Sequence, residues 1–186
     1  MAKLSTQRNR KRQAVRRRWM LWAAAGGSIL FVAWQVVSNP LPASREQPAS
    51  GMAPDITLTT RQGDFRLSQQ KGDLVALYFS FEGCPTCARE VPALNRIREE
   101  FGVEVVAINL APQVNNLAEW QAFLEGFGAV EFVWAEDTYD QLAVRTYNVQ
   151  SLGTTVIIGR EGQLVYRDEV ASSYEMLRSG VLKALD

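Results

Sequence analysis

The 186-residue sequence has no histidine and only two cysteines, Cys84 and Cys87. A structural zinc site takes four ligands as a rule, and two thiolates without imidazoles or further thiolates do not complete one. Attachment of c-type haem needs histidine directly after the second cysteine, and Ala88 stands there. A His-bearing copper site is disfavoured on the same ground. Basic residues are scarce outside one end. Eight of the 20 (Lys3, Arg8, Arg10, Lys11, Arg12, Arg16, Arg17, Arg18) fall in residues 1–18, which hold no acidic residue. The rest carries 12 basic against 20 acidic side chains, so the formal neutrality joins a cationic arm to an anionic body. An anionic body lacks the clustered cations that phosphate contacts need, which argues against nucleic-acid binding. There is no internal repeat.

What the chain does have is one long uncharged run, Trp19 to Val37, in which only Ser28 and Gln35 are appreciably polar. As a helix it would be roughly 28 Å long, close to the hydrocarbon thickness of a bilayer. Trp19 and Trp22 at one end and Trp34 at the other suit the membrane interfaces, and the arginine-rich flank predicts a cytoplasmic N-terminus. Residues 19–37 therefore read as a single-pass anchor in the lipid bilayer, with 1–18 as its cytoplasmic basic arm and the remainder extracytoplasmic, in a periplasm or the medium. A cleaved signal peptide is the rival reading, but Leu41 and Ala43 make a poor cleavage site because leucine is bulky. Arg16-Arg17-Arg18-Trp19-Met20 only loosely resembles a twin-arginine signal.

Residues 38–51 hold three prolines and no apolar periodicity, which predicts a linker. The folded part is then 52–186, long enough for a self-supporting core. Ile56–Thr59 and Phe65–Leu67 alternate around Gln62-Gly63 as a hairpin. Leu74–Phe79 is an unbroken apolar run of strand length, as in a strand covered on both faces. Val91, Leu94, Ile97 and Phe101 mark a helix stopped by Gly102, and Val103–Ile108 reads as a second buried strand. Leu117, Trp120, Phe123 and Leu124 mark another helix, where helical spacing makes Trp120, Phe123 and Phe127 core rather than docking residues. Phe132–Trp134 reads as a short strand and Tyr139–Tyr147 as a short helix. A hairpin, Thr154–Ile158 with Leu164–Tyr166, turns at Glu161-Gly162, and Tyr174–Leu185 closes the chain as an amphipathic helix. Strands alternating with helices, with hairpins at both ends, predict an α/β sandwich around a central mixed β-sheet.

Cys84-Pro85-Thr86-Cys87 lies between the buried strand and the first helix. With Cys84 at the N-cap, Pro85 takes the first helical position, where its missing N–H costs nothing. The unpaired N–H groups and dipole at that end favour an anion on the Cys84 sulfur. That predicts a depressed thiol pKa and makes Cys84 the attacking thiol, with Cys87, one turn later and facing inward, resolving the mixed disulfide. The bland alternative is an inert bridge, but so short a loop makes a weak staple.

The stretch GDLVALYFSFEGCPTCAREVPALNRI resembles the active-site segment of thioredoxin-like proteins, particularly the membrane-anchored TlpA/ResA group, and the resemblance covers roughly residues 52–186. It implies a thioredoxin-like fold with an N-terminal β-hairpin. Glu90 matches a glutamate that in this group lies near the thiols and helps manage their protons; from charge pattern alone it could equally be a solvated helix carboxylate. Pro92 matches the proline that kinks the first helix, where sequence rules alone would break it. Three departures stand out. Phe81-Glu82-Gly83 replaces the tryptophan usual before the first cysteine. Tyr78 occupies the place of the buried aspartate of thioredoxins proper. Gly153, before Thr154 and Thr155, stands where the group has a cis-proline facing the cysteines. Without proline a cis bond costs about 2.5–4 kcal/mol, so a trans peptide is expected there. Glycine can still allow close approach of a bound peptide; the alternative is a plain strand-entry glycine. Pro85, Thr86, Gly153 and Thr154 are the candidate substrate contacts.

These observations predict a membrane-anchored, extracytoplasmic thiol–disulfide oxidoreductase with no cofactor and no metal. Its partners would be a protein disulfide substrate and a membrane or extracytoplasmic thiol electron donor, and the group resemblance implies the reductive direction. An oxidase running the same exchange backwards is the near rival. A redox-inactive binding module is favoured by Gly153 and the missing tryptophan. A peroxidase of the peroxiredoxin type is disfavoured, because Phe81 and Leu77 stand where that chemistry requires Thr or Ser and Pro.

Overall fold

The computed structural model describes residues 51–185. The expected basic arm, the anchor and residues 38–50 of the linker lie outside the described residues. Among the described residues, no helix is long and apolar enough to cross a membrane.

A seven-stranded mixed sheet organises the chain. In sequence order the elements are β1 (Thr57–Thr60), β2 (Gly63–Arg66), a 3-10 turn (Leu67–Gln69), β3 (Val75–Ser80), α1 (Cys87–Phe101), β4 (Glu104–Asn109), α2 (Leu117–Glu125), β5 (Val133–Glu136), α3 (Leu142–Thr146), β6 (Thr154–Ile158), β7 (Leu164–Asp168) and α4 (Tyr174–Leu185). The strand order is β2-β1-β5-β4-β3-β6-β7. Strands β3, β4 and β5 run parallel, and the β1–β2 and β6–β7 hairpins pair antiparallel to them at the two sides.

The apolar run of β3 is buried throughout because the sheet is covered on both faces. Side chains alternate across a strand, and the alternation sorts two cores. Ala76 and Tyr78 face a layer of α1, α2 and α4, with Leu94, Ile97, Trp120, Leu124, Leu177 and Val181. Val75, Leu77 and Phe79 face the other way, against Ile56, Leu58 and Phe65 of the hairpin, Ala143 of α3, and Tyr147. Tyr78 is thereby fixed on the same face as Cys87.

Helix α1 ends where sequence rules place it: Gly102 adopts φ 67° and its N–H bonds the Arg98 carbonyl at 2.9 Å. It runs unbroken through Pro92. The carbonyl that Pro92 leaves without an N–H partner belongs to Ala88, and both residues are exposed, so water can serve it. Helix α2 starts on a capping box: the Asn116 side chain accepts from Glu119 N at 3.0 Å, and Glu119 Oε2 accepts from Asn116 N at 3.4 Å. Trp120 is fully buried, with Nε1 donating to Ser80 Oγ at 3.3 Å, while Phe123 and Phe127 form an edge-to-face pair against the same core.

Two expectations need correction. The short helix begins at Leu142, not Tyr139. The buried Asp137 carboxylate takes the N–H groups of Thr138, Ala143 and Val144, and Gln141 sits in the left-handed region at φ 56°, so residues 138–141 form a turn. Helix α1 begins at Cys87 with Thr86 as its N-cap, so Cys84 is not the cap and Pro85 is not the first helical residue. The physical reason is that the Thr86 carbonyl takes the first helical bonds, from Arg89 N at 3.1 Å and Glu90 N at 3.2 Å, while Pro85-Thr86 turns ahead of the helix.

Candidate active site

The carboxyl ends of the three parallel strands share one edge of the sheet, where open α/β folds place their ligands. Residues 81–86 leave β3 at that edge. Their turn closes with Cys84 N on the Phe81 carbonyl at 3.3 Å and uses Gly83 at φ 85°, a conformation costly for other residues. Cys84 and Cys87 are joined by a disulfide, with Cα atoms 5.6 Å apart. Cys84 keeps 3% of its surface exposed and Cys87 none, so Cys84 is the sulfur nearer to solvent. Although Cys84 precedes the cap, its sulfur is bonded to that of the first residue of a 15-residue helix. The favourable end of that dipole still acts on the pair.

Each sulfur has its own hydroxyl. Thr86 Oγ1 lies 3.3 Å from Cys84 Sγ, and Tyr78 Oη lies 2.7 Å from Cys87 Sγ and 3.9 Å from Cys84 Sγ. Burial, and then the charges of Glu90 and Asp168, push the Tyr78 hydroxyl far above its ordinary pKa, so it stays protonated.

Glu90, one turn into α1 beyond Cys87, is completely buried rather than solvated. Its Oε1 accepts from Thr155 Oγ1 at 2.7 Å and from Ser172 N at 3.4 Å, and its Oε2 has no hydrogen-bond partner. Burial, reinforced by the nearby Asp168 carboxylate, pushes its pKa up to about 9 against the two hydrogen bonds. Asp168 is itself buried, its pKa raised to about 6 by desolvation. Its Oδ2 accepts from the Tyr166 hydroxyl, which lies 2.9 Å from Ser172 Oγ.

Gly153 closes the site from the β6 side. Its N–H bonds the Phe79 carbonyl at 3.0 Å, its φ is 77°, and no described peptide bond is cis. A Cβ built here would lie 2.6 Å from Thr86 Oγ1 and 2.7 Å from Glu90 Oε2. The missing side chain is thus what lets the free Glu90 oxygen and the Thr86 hydroxyl meet over one point.

Of the predicted residues, the structure gathers Cys84, Cys87, Glu90, Thr86 and Gly153. Pro85 is exposed beside them. Thr154 is buried, with its hydroxyl donating to the Ser151 carbonyl at 2.7 Å. The alternation of β6 turns Thr155, not Thr154, toward Glu90. Sequence reasoning missed Thr155, Asp168 and Ser172, and took Tyr78 only as the loss of an acid. Alternation was the available signal: Tyr166 and Asp168 share a face in β7, and Thr155 pairs with Tyr78 across β3 and β6.

The chain is similar to several known proteins. The thiol-disulfide oxidoreductase ResA of Geobacillus kaustophilus is 35% identical over 116 residues, covering 60% of this chain and 64% of that protein. ResA of Bacillus subtilis is 32% identical over 137 residues, covering 69% and 72%. Among solved structures, a Chlorobium tepidum protein described as a DsbE-type thiol:disulfide interchange protein superposes with TM-score 0.63 at 28% identity, over 74% of this chain and 98% of that one. A thioredoxin-like protein from Aeropyrum pernix, at 22% identity and TM-score 0.60 over 86% of this chain and 97% of its own, shares the fold. The AhpC/TSA family pattern matches residues 50–167, which take in Tyr78, Cys84, Cys87, Glu90 and Gly153, and the chain belongs to that family, with a thioredoxin-like fold.

Proposed function

We propose that this protein is a thiol–disulfide oxidoreductase acting on protein disulfides. The observation that carries the reading is the Cys84–Cys87 pair at the sheet's carboxyl edge, joined at the start of α1 and backed by a buried, proton-holding Glu90. Reduced Cys84, as thiolate, attacks a substrate disulfide. One substrate sulfur leaves with the electron pair, and a mixed disulfide forms at Cys84. The Cys87 thiolate then attacks Cys84 Sγ, which releases the second substrate thiolate and leaves the 84–87 disulfide. Glu90, protonated at neutral pH, can give a proton to a departing thiolate and take one from an incoming thiol. The names of the ResA and DsbE relatives support the same chemistry.

The direction proposed is reductive, with a membrane or extracytoplasmic thiol donor restoring the cysteines. Residues 19–37 are proposed to anchor the chain in the membrane with the catalytic domain outside the cytoplasm, a reading that rests on the sequence. The full-length protein should reduce insulin disulfides with a dithiol as electron source, and C84S should abolish this. Wild-type protein with no turnover would favour a binding module. A C-terminal alkaline phosphatase fusion should be active, and an inactive one would reverse the topology.

A further inference from the structure

Tyr78 is wholly buried, yet it presents a hydroxyl to a sulfur at 2.7 Å. A buried hydroxyl is retained in a core where its hydrogen bond is satisfied, and the partner here is Cys87 Sγ. Alternatives at this sulfur are few. Thr86 Oγ1 serves Cys84, Glu90 Oε1 is committed to Thr155 and Ser172, and Glu90 Oε2 faces Gly153 and Thr86. The titratable groups around the contact are Cys84 in the preceding loop, Glu90 on α1 and Asp168 on β7.

We propose that Tyr78 is a further catalytic residue whose O–H donates the hydrogen bond that stabilises the Cys87 thiolate whenever the 84–87 disulfide opens. The inference deepens the oxidoreductase reading and rests on it for its catalytic meaning. An incoming thiolate bonds to Cys84 Sγ, the Sγ–Sγ bond breaks, and the electron pair stays on Cys87 Sγ. Tyr78 keeps its proton throughout, held there first of all by burial, so it acts as a fixed donor and never as a base. A charge-assisted hydrogen bond to the leaving sulfur lowers that thiol's pKa and makes it depart faster. In the return step the same thiolate attacks Cys84 and gives the bond up. The partner's attack is thereby directed to Cys84, the sulfur with residual exposure, because the other end is the better leaving group.

The test uses the full-length protein with Tyr78→Phe, which deletes only the oxygen. In a C84S background the acidity of Cys87 is read alone, from the chemical shift of isotope-labelled cysteine Cβ across a pH series. Loss of the donor should make the Cys87 thiol about tenfold less acidic, one pKa unit, and in the two-cysteine protein should slow opening of the disulfide by a small thiol about tenfold. A Cys87 titration that Y78F leaves unmoved overturns the proposal. Should Y78F fail to fold, a fluorinated tyrosine at position 78, a stronger donor, must make Cys87 more acidic, and no change overturns the proposal equally. A wild-type disulfide that no thiol opens sinks the oxidoreductase reading instead, and the Cys87 titration still decides the role of Tyr78.

Discussion

Replacing Glu90 with glutamine keeps the shape of the site and removes its most perturbed carboxyl. The amide oxygen can still accept from Thr155 Oγ1 and Ser172 N, and the amide nitrogen takes the place of the unpartnered Oε2 beside Thr86. Glu90 titrates at about 9 in the folded protein and at its ordinary 4.5 when unfolded. Between those values the folded state holds a proton that the unfolded state has released, so the unfolded state binds fewer protons and stability falls as pH rises. The stability is fully present below about 4.5, drains through the interval, and is gone above 9. Each pH unit inside the interval costs about 1.4 kcal/mol. Asp168, raised only to about 6, has largely ionised above pH 6.5, so a comparison from pH 6.5 to 8.5 isolates Glu90. Urea unfolding of the oxidised protein should show wild type losing about 2–3 kcal/mol over that range through this group, a loss absent from E90Q. The glutamine protein should therefore gain on wild type steadily as pH rises. Parallel stability curves for the two proteins would refute the buried, protonated Glu90 on which the proton handling depends.

Gly153→Ala should place a methyl group against Thr86 Oγ1 and Glu90 Oε2 at φ 77°. It should lower stability by about 2 kcal/mol or more, measured by thermal unfolding, and adding T86A should recover part of the loss; equal melting of wild type and G153A would show that the contact is not tight. Gly180→Ala on α4 would bring a Cβ to 2.7 Å from Tyr166 Cβ and Cγ. A loss of about 1–3 kcal/mol in urea unfolding is expected, although alanine is the better helix former, and a gain would contradict the packing.

Much of the architecture was legible because its signals are local. The apolar run before Cys84 is buried on both faces, Gly102 ends α1, and Tyr174–Leu185 has the bounds that its amphipathic pattern sets. The cysteines identified themselves through spacing and placement between strand and helix. The start of α1 was less legible, since proline tolerates both the first helical position and a turn, and the choice shows only in the Thr86 carbonyl taking the first helical bonds from Arg89 N and Glu90 N. Glu90 was ambiguous on charge pattern because its burial depends on β6 and on the segment after β7, both more than 60 residues away. The same distance hid Asp168 and Ser172. Tyr78 was read as an absent acid, because sequence shows the residue type that is missing more readily than the contact its replacement makes.

The mechanism requires that Cys84 attack a partner's disulfide and that Cys87 release it. Full-length protein carrying C87S, incubated after reduction with a disulfide-bearing protein, tests it most directly. A mixed disulfide on Cys84 should accumulate, resolved by peptide mass mapping, while the matching C84S protein traps almost none. Adduct equally abundant on Cys87 in C84S, or absent from C87S altogether, would contradict the account.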